Sequence, residues 1–331
     1  MRIGIIGAGA IGGLVAGYLR LKGEDVSLVG HPGSVNAIKE NGLCISGARG
    51  NFNVAIEASL TLGGKKDLVI LAVKTQDLKE AIKDNAEFLK EGIVLTAQNG
   101  LEADRIAAEY IPAERLVCSI VMFGATSLEP GIIVHNFEGN WIIGGISPGA
   151  AKQIGQVKTV LGKIFPTPVG GDIRAMKYLK IFINANNCLP ALLGVSMQEA
   201  FADLAISRIS VNIWKEGLGI AAKSGIKLTS LPDFPLERIT GLASLPETVA
   251  ANIFSGIMVN LSKEPVYGSI LQSIKRGRPS EIDYLNGEFV SLARQNNLRA
   301  PLNQRLVELV HEVEKTGRFL SKEELLEQIR F

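Results

Sequence analysis

The pattern that most restricts what this chain can fold into lies near its start. Gly7-Ala8-Gly9-Ala10-Ile11-Gly12 spells G-x-G-x-x-G, directly after an apolar β-branched run at residues 2–6 and at the opening of a helical periodicity over 10–22. A second strand-like run, Asp25-Val26-Ser27-Leu28-Val29, completes a βαβ unit. In that setting Gly7 permits a tight turn, Gly9 lets the backbone approach a pyrophosphate and Gly12 lets the helix pack close to the sheet. The helix N-terminus then offers its unpaired N–H groups to an anion. A purely structural turn is the competing reading, and the complete βαβ unit argues against it.

Further strand-like runs at 68–73, 93–97 and 117–123 alternate with helical segments near 75–89 and 102–109, the signature of a parallel sheet covered on both faces. Residues 132–145 change to short strands with Gly and Asn turns, and a helix follows over 147–165. Pro166-Thr167-Pro168 then interrupts the chain. Beyond it the pattern is helical: 173–193, 196–224, 245–261, 268–275, 280–296 and 302–315, with a Pro-rich loop expected across Pro232, Pro235 and Pro246. The expected architecture is an α/β Rossmann-type doubly wound sheet in an N-terminal dinucleotide-binding domain, residues 1–168. An all-helical C-terminal domain, residues 169–331, is expected to carry substrate and catalysis.

At 331 residues and 47% hydrophobic content the chain has material for two cores. The balance of 35 basic against 33 acidic residues gives no field for gripping a phosphate backbone, so a nucleic-acid binder is not expected. Three scattered cysteines, Cys44, Cys118 and Cys188, suggest neither a disulfide framework nor a zinc module. His31, His135 and His311 are equally dispersed, and no metal site is expected. Met1-Arg2 and the apolar residues after it resemble the start of an export signal. Glycines at 7, 9, 12 and 13 break that run, and no stretch of about 18 apolar residues occurs, so neither export nor a membrane span is expected. The expectation is a cytoplasmic protein, open to assembly as a homodimer.

The end of the second strand bears on the choice of cofactor, since an acid there would bond the ribose 2′-OH of NAD and a cation would meet the 2′-phosphate of NADP. Here the chain reads Val29-Gly30-His31-Pro32-Gly33-Ser34, with no carboxylate before Glu40. His31 and Ser34 can contact a phosphate and nothing repels one, which favours NADP, although His31 also suits an ordinary exposed turn. Lys74 and Asn99 follow the strands at 68–73 and 93–97 and are expected on the cofactor rim, Asn99 within reach of ribose, nicotinamide or substrate. Each also fits a bland role, as a surface lysine and a turn asparagine.

In the first long helix of the second half, Lys180, Asn184 and Asn187 stand at i, i+4 and i+7, within one arc of about 60° on an otherwise apolar helix. Such a stripe suits a cleft, where a lysine of depressed pKa can protonate the oxygen of a ketone being reduced. Lys177, one turn earlier, competes with Lys180 for that role. Snorkelling lysines with helix-bonding asparagines would give the same pattern. Ser280-Glu281-Ile282-Asp283 reads as an N-cap with acids in the first turn, and Ser269 stands near the start of its own helix.

Taken in order, the glycine turn, Val73-Lys74, Gln98-Asn99-Gly100, Lys180 with Asn184, Ser269-Ile270-Leu271-Gln272 and Glu281-Ile282-Asp283-Tyr284-Leu285-Asn286-Gly287 resemble the ketopantoate reductase (2-dehydropantoate 2-reductase) family over nearly the whole chain. The resemblance implies NADPH-dependent reduction of the C2 ketone of ketopantoate to pantoate, on the route to pantothenate and coenzyme A. It implies Lys180 as general acid, Glu281 as the carboxylate that engages substrate, and Asn184 and Ser269 as substrate ligands, with Asn187 beside them. Asn99 is implied to neighbour cofactor and substrate, and Lys74 to lie near the NADP phosphate. Two alternatives stand beside this reading: a relative acting on another 2-oxo or D-2-hydroxy acid with NAD, and a non-catalytic NADP-binding sensor.

Overall fold

The computed structural model describes residues 1–329 and divides the chain into two compact units, Met1–Arg174 and Ala175–Phe331. In the first, the apolar run after Met1 forms β1 (Arg2–Ile6), followed by α1 (Ala10–Leu21) and β2 (Asp25–Val29). Then come α2 (Pro32–Asn41), β3 (Leu43–Gly47), β4 (Phe52–Val54), β5 (Glu57–Ser59), β6 (Leu68–Leu71), α3 (Leu78–Asp84) and β7 (Ile93–Thr96). The unit finishes with α4 (Glu102–Ala108), β8 (Leu116–Val121), β9 (Gly124–Glu129), β10 (Ile132–Phe137), β11 (Trp141–Gly145) and α5 (Ala151–Leu161).

The main sheet has the order β11-β8-β7-β6-β1-β2-β5. Its strands are parallel except β11, which runs antiparallel to β8 along the edge. β1, β2, β6 and β7 are buried almost throughout, as a sheet covered on both faces requires. A second, four-stranded sheet has the order β4-β3-β10-β9; only β10 lies within the strands expected from the sequence, and β3, β4 and β9 were not anticipated. It packs on α1, where Gly17 approaches Ile45 so closely that an added Cβ would stand 2.3 Å from the Ile45 side chain. Tyr18, His135, Phe123, Trp141 and Phe165 form an aromatic nucleus in this unit, with Phe123 stacked on Phe165 at 3.8 Å.

The second unit is helical. Its elements are α6 (Ile173–Ala185, whose first two residues precede the unit boundary), α7 (Cys188–Leu193), α8 (Met197–Ala202), α9 (Leu204–Lys223) and α10 (Glu237–Ser244). They continue as α11 (Glu247–Val259), α12 (Ser269–Lys275), α13 (Asn286–Gln295), α14 (Pro301–Thr316) and α15 (Lys322–Gln328). Three helices expected as continuous are broken, each for a local reason. The run over 173–193 stops at Asn186-Asn187 because the ring of Pro190 cannot lie over the Asn186 carbonyl four residues back and supplies no N–H to it. That over 196–224 breaks at Asp203, whose carboxylate accepts from the N–H groups of Ala205 and Ile206 and starts α9 afresh. The stretch 280–296 begins as a 3-10 turn, Ile282–Tyr284, and becomes α-helical only at Asn286. The Pro-rich loop is also corrected: between Pro235 and Pro246 the chain forms α10, and both prolines sit just outside helix starts, where a missing N–H costs nothing.

Candidate functional site

The carboxyl ends of four neighbouring strands of the main sheet carry the residues expected to hold a dinucleotide. At the end of β1, Gly7 has φ +121, and a side chain there would press on the Ala72 carbonyl at 2.6 Å. An added Cβ on Gly12 would stand 1.9 Å from the Gly7 carbonyl oxygen, so α1 lies against the turn at glycine distance only. Around Gly9 nothing lies within 4 Å of a would-be Cβ, which leaves the N-cap of α1 open to an approaching phosphate. The first turn of α1 carries no acid, so the positive end of the helix is uncompensated by its own side chains. These features fit a pyrophosphate.

At the end of β2, exposed His31 is the N-cap of α2, again with no acid in the first turn, and partly buried Ser34 follows within that turn. Lys74, partly buried, precedes the 3-10 turn Thr75–Asp77 after β6. Asn99, also partly buried, follows β7 just before Gly100 at φ +75. The strand ends are tied together by a residue whose role the sequence did not reveal. The buried Gln98 amide donates from Nε2 to the carbonyls of Leu71 and Val73 at 3.0 and 2.8 Å, and its Oε1 accepts from the Ala97 N–H at 3.1 Å. It thereby fixes the spacing between the segments that present Lys74 and Asn99.

The second unit holds the other group. Lys180 is partly exposed on α6, yet burial of its ammonium lowers its pKa from 10.5 to about 8. Lys177, its competitor one turn earlier, is buried, at 2% exposed. Asn184, one turn after Lys180, is 9% exposed. Asn187 lies in the break between α6 and α7 rather than on α6 itself, although its N–H still bonds the Asn184 carbonyl at 2.9 Å and keeps the local path helical. It packs on Gly268, where an added Cβ would lie 3.2 Å from Asn187 Cβ and Cγ. Gly268 is the N-cap of α12, so the exposed Ser269 at the first position of that helix is brought beside Asn187.

Glu281 is partly buried and opens the 3-10 turn, carried on a different support. Buried Ser280 before it donates its backbone N–H to Glu314 Oε1 at 2.7 Å, and Ser280 Oγ accepts from the Ile282 N–H at 3.3 Å. Behind this segment runs a buried polar chain without a counterpart in the sequence reading. Asn286 donates to Asn303 Oδ1 at 2.9 Å, and Asn303 donates to Glu216 Oε1 at 2.9 Å. Glu216 also accepts the backbone N–H groups of Leu302 and Asn303 at the start of α14. Nearby Cys188 is buried, and burial pushes its thiol up to about 12, which leaves it inert as a nucleophile. Among the described residues no group of three or more His, Cys, Asp or Glu could hold a metal ion, and no helix is long and apolar enough to cross a membrane.

Comparison with known proteins gives a consistent picture. The family model described as "Ketopantoate reductase PanE/ApbA" matches residues 3–148, and "Ketopantoate reductase PanE/ApbA C terminal" matches residues 172–314. A 2-dehydropantoate 2-reductase of Pyrococcus horikoshii is 32% identical over 96% of this chain and 99% of its own length. One from Pyrococcus abyssi is 32% identical over 94% of this chain and 97% of its own. Among solved structures, a D-mandelate dehydrogenase with NADH and anilino(oxo)acetate shares the fold at TM-score 0.83 and 24% identity, covering 96% of this chain and 99% of that one. A PanE/ApbA family ketopantoate reductase from Ralstonia eutropha superposes at TM-score 0.77 with 24% identity, over 95% of this chain and 99% of its own.

Proposed function

The chain belongs to the ketopantoate reductase PanE/ApbA family and is an oxidoreductase, and we propose that it reduces the C2 ketone of ketopantoate to pantoate with NADPH. The family is dependent on pyridine nucleotides. The observation that carries the proposal is Lys180: an ammonium brought to about pKa 8, one helical turn from the buried amide of Asn184.

When bound, the cofactor supplies a hydride to the carbonyl carbon. The oxygen then gains charge and must take a proton. Lys180 is still largely protonated at neutral pH, but its proton is held less tightly than on an ordinary lysine, which suits a general acid. It gives that proton to the oxygen and is left neutral, a state that its buried position tolerates. Asn184, Asn187 and Ser269 offer donors to the substrate's polar groups, and Glu281 accepts from a substrate hydroxyl. Asn99 is assigned to both cofactor and substrate.

In the cofactor half, Gly7, Ala8, Gly9, Ala10, Ile11 and Gly12 supply the backbone cradle, and Lys74 lies on its rim. His31, with Ser34 and the acid-free N-terminus of α2, favours a 2′-phosphate, and hence NADP over NAD. The test is the initial rate of NADPH oxidation with ketopantoate, beside NADH and a panel of other 2-oxo acids. The expected result is turnover with ketopantoate that prefers NADPH. Turnover only with another 2-oxo acid would overturn the substrate, and a preference for NADH would overturn the assignment of His31. A His31→Asp variant is expected to lose its preference for NADPH, because a carboxylate there would repel the 2′-phosphate and accept from a 2′-hydroxyl.

A further inference from the structure

We propose that His311, together with Asp283 and Glu314, forms a protonation-dependent clasp that positions Glu281, a role that rests on the assignment of Glu281 to substrate. His311 on α14 places Nε2 3.0 Å from Asp283 Oδ1 and Nδ1 3.0 Å from Glu314 Oε2. The other oxygen of Glu314 accepts the backbone N–H of Ser280 at 2.7 Å. Ser280 and Asp283 flank Glu281, so the four residues 280–283 and the path Glu314–His311–Asp283 close a ring with Glu281 on its covalent side. The turn within it is further constrained by the Tyr284 N–H bond to the Glu281 carbonyl and by the bond from the Ile282 N–H to Ser280 Oγ.

The ring holds completely only when the imidazole is charged. Both partners are carboxylates, which accept but do not donate when ionised, and a neutral imidazole has a single N–H. Loss of one proton therefore leaves one carboxylate facing a lone pair. Partial burial works against the charged form, but the hydrogen bonds and charges of Asp283 and Glu314 outweigh it and raise the His311 pKa above its ordinary 6.5. The clasp is thus complete below that ordinary value and is lost as pH rises through the raised one.

The 3-10 turn brings Asp283 to His311, and α14 itself brings Glu314, with Glu308, Glu312 and Lys315 within four residues along the helix. Arg305 engages both Glu308 and Glu312. Of the helices packed on α14, α7 carries no charged side chain, and α9 carries Arg208, Lys215, Glu216 and Lys223, of which Glu216 is engaged at the start of α14 with Leu302 and Asn303 and Arg208 pairs with Glu247. Glu288 and Arg294 of α13 lie beyond Asn286, which pairs with Asn303 two turns before His311.

The test compares the unaltered enzyme with His311→Ala and His311→Arg, since a guanidinium keeps donors for both carboxylates at every pH used. At about pH 6 the His311→Ala variant is expected to raise KM for ketopantoate roughly fivefold, with kcat and KM for NADPH little changed. That gap should close at higher pH, once the imidazole has titrated through its raised pKa and the unaltered enzyme has lost its own clasp. His311→Arg should keep the low KM throughout that range. Glu281 is present in all three proteins, so its own titration cancels in the comparison. The companion measurement needs no turnover: backbone amide exchange of residues 280–284, corrected for intrinsic rates, should be faster in His311→Ala at the lower pH and unchanged in His311→Arg. An unchanged KM, or a KM that rises with no change in exchange at 280–284, would overturn the clasp. If the unaltered enzyme reduced no 2-oxo acid at all, the functional reading would fail by itself, and the exchange result would still decide whether the clasp exists.

Discussion

Lys180 is the single side chain to which most of the proposed chemistry is assigned. Its depressed pKa has a definite sign: the ammonium is the majority form below about 8 and is lost above it. The rate of ketone reduction is therefore expected to fall as pH rises through that value, and that of the reverse oxidation to rise. A pH profile of kcat in both directions checks this, and a flat profile across pH 8 would remove Lys180 from proton transfer. Replacing Lys180 by Ala is expected to lower kcat by about 10²–10⁴, the usual range for a lost acid–base group, with NADPH binding retained. Fluorescence titration of the cofactor beside steady-state kinetics separates the two effects. Linkage gives a further consequence: the unfolded lysine binds its proton up to 10.5, so between about 8 and 10.5 this residue makes the protein more stable as pH rises. The spacing of Lys180 and Asn184 was readable because a helix converts i, i+4 into a shared face. What spacing did not contain was the difference in exposure between Lys180 and Lys177, which depends on the packing of the whole unit and favours Lys180 as the acid.

Among the elements, the buried strands β1, β2, β6, β7 and β8 were the most legible, since a parallel sheet buried on both faces leaves continuous apolar runs, whereas β3, β4, β5 and β9 were not anticipated. Helix limits were less so, because hydrophobic period is blind to caps. Asp203 illustrates the point: it sits inside an unbroken apolar period but ends α8 and begins α9 by binding two backbone N–H groups. Its replacement by Ala is expected to cost about 1 kcal/mol of stability, read by urea denaturation, with kinetics unchanged. Gly12 makes the complementary case at the start of α1. A methyl group there would have to displace the Gly7 carbonyl 1.9 Å away, so Gly12→Ala should lose about 1–3 kcal/mol and most of the cofactor affinity together. Retention of normal NADPH binding by that variant would show that the turn is not the cradle. Gln98 and the chain from Asn286 to Glu216 escaped the sequence reading for a related reason. Their partners lie 25 or 27, 17 and 87 residues away, and no local pattern encodes a bond of that span.

At the scale of the molecule, the proposed roles divide between the two units: the first holds the strand-end residues assigned to the dinucleotide, with Asn99 assigned to substrate as well, the second the lysine, asparagines, serine and glutamate assigned to the substrate. The order of motifs along the chain made this division legible, together with the change from strand alternation to long helices after residue 171. Because the cofactor residues exist as a cradle only in the folded state, NADPH at one hundred times its Kd should stabilise the protein by about 2.7 kcal/mol. Calorimetry with NADPH and NADH at equal concentration then ranks the two cofactors without any substrate, and NADPH is expected to give the larger rise in Tm. The measurement closest to the central claim is the initial rate of NADPH oxidation by the purified protein with ketopantoate, repeated with Lys180→Ala. Rapid turnover that collapses in the variant while NADPH still binds is the predicted result. Absence of turnover with ketopantoate, or a folded variant that keeps near-normal rates, would contradict it.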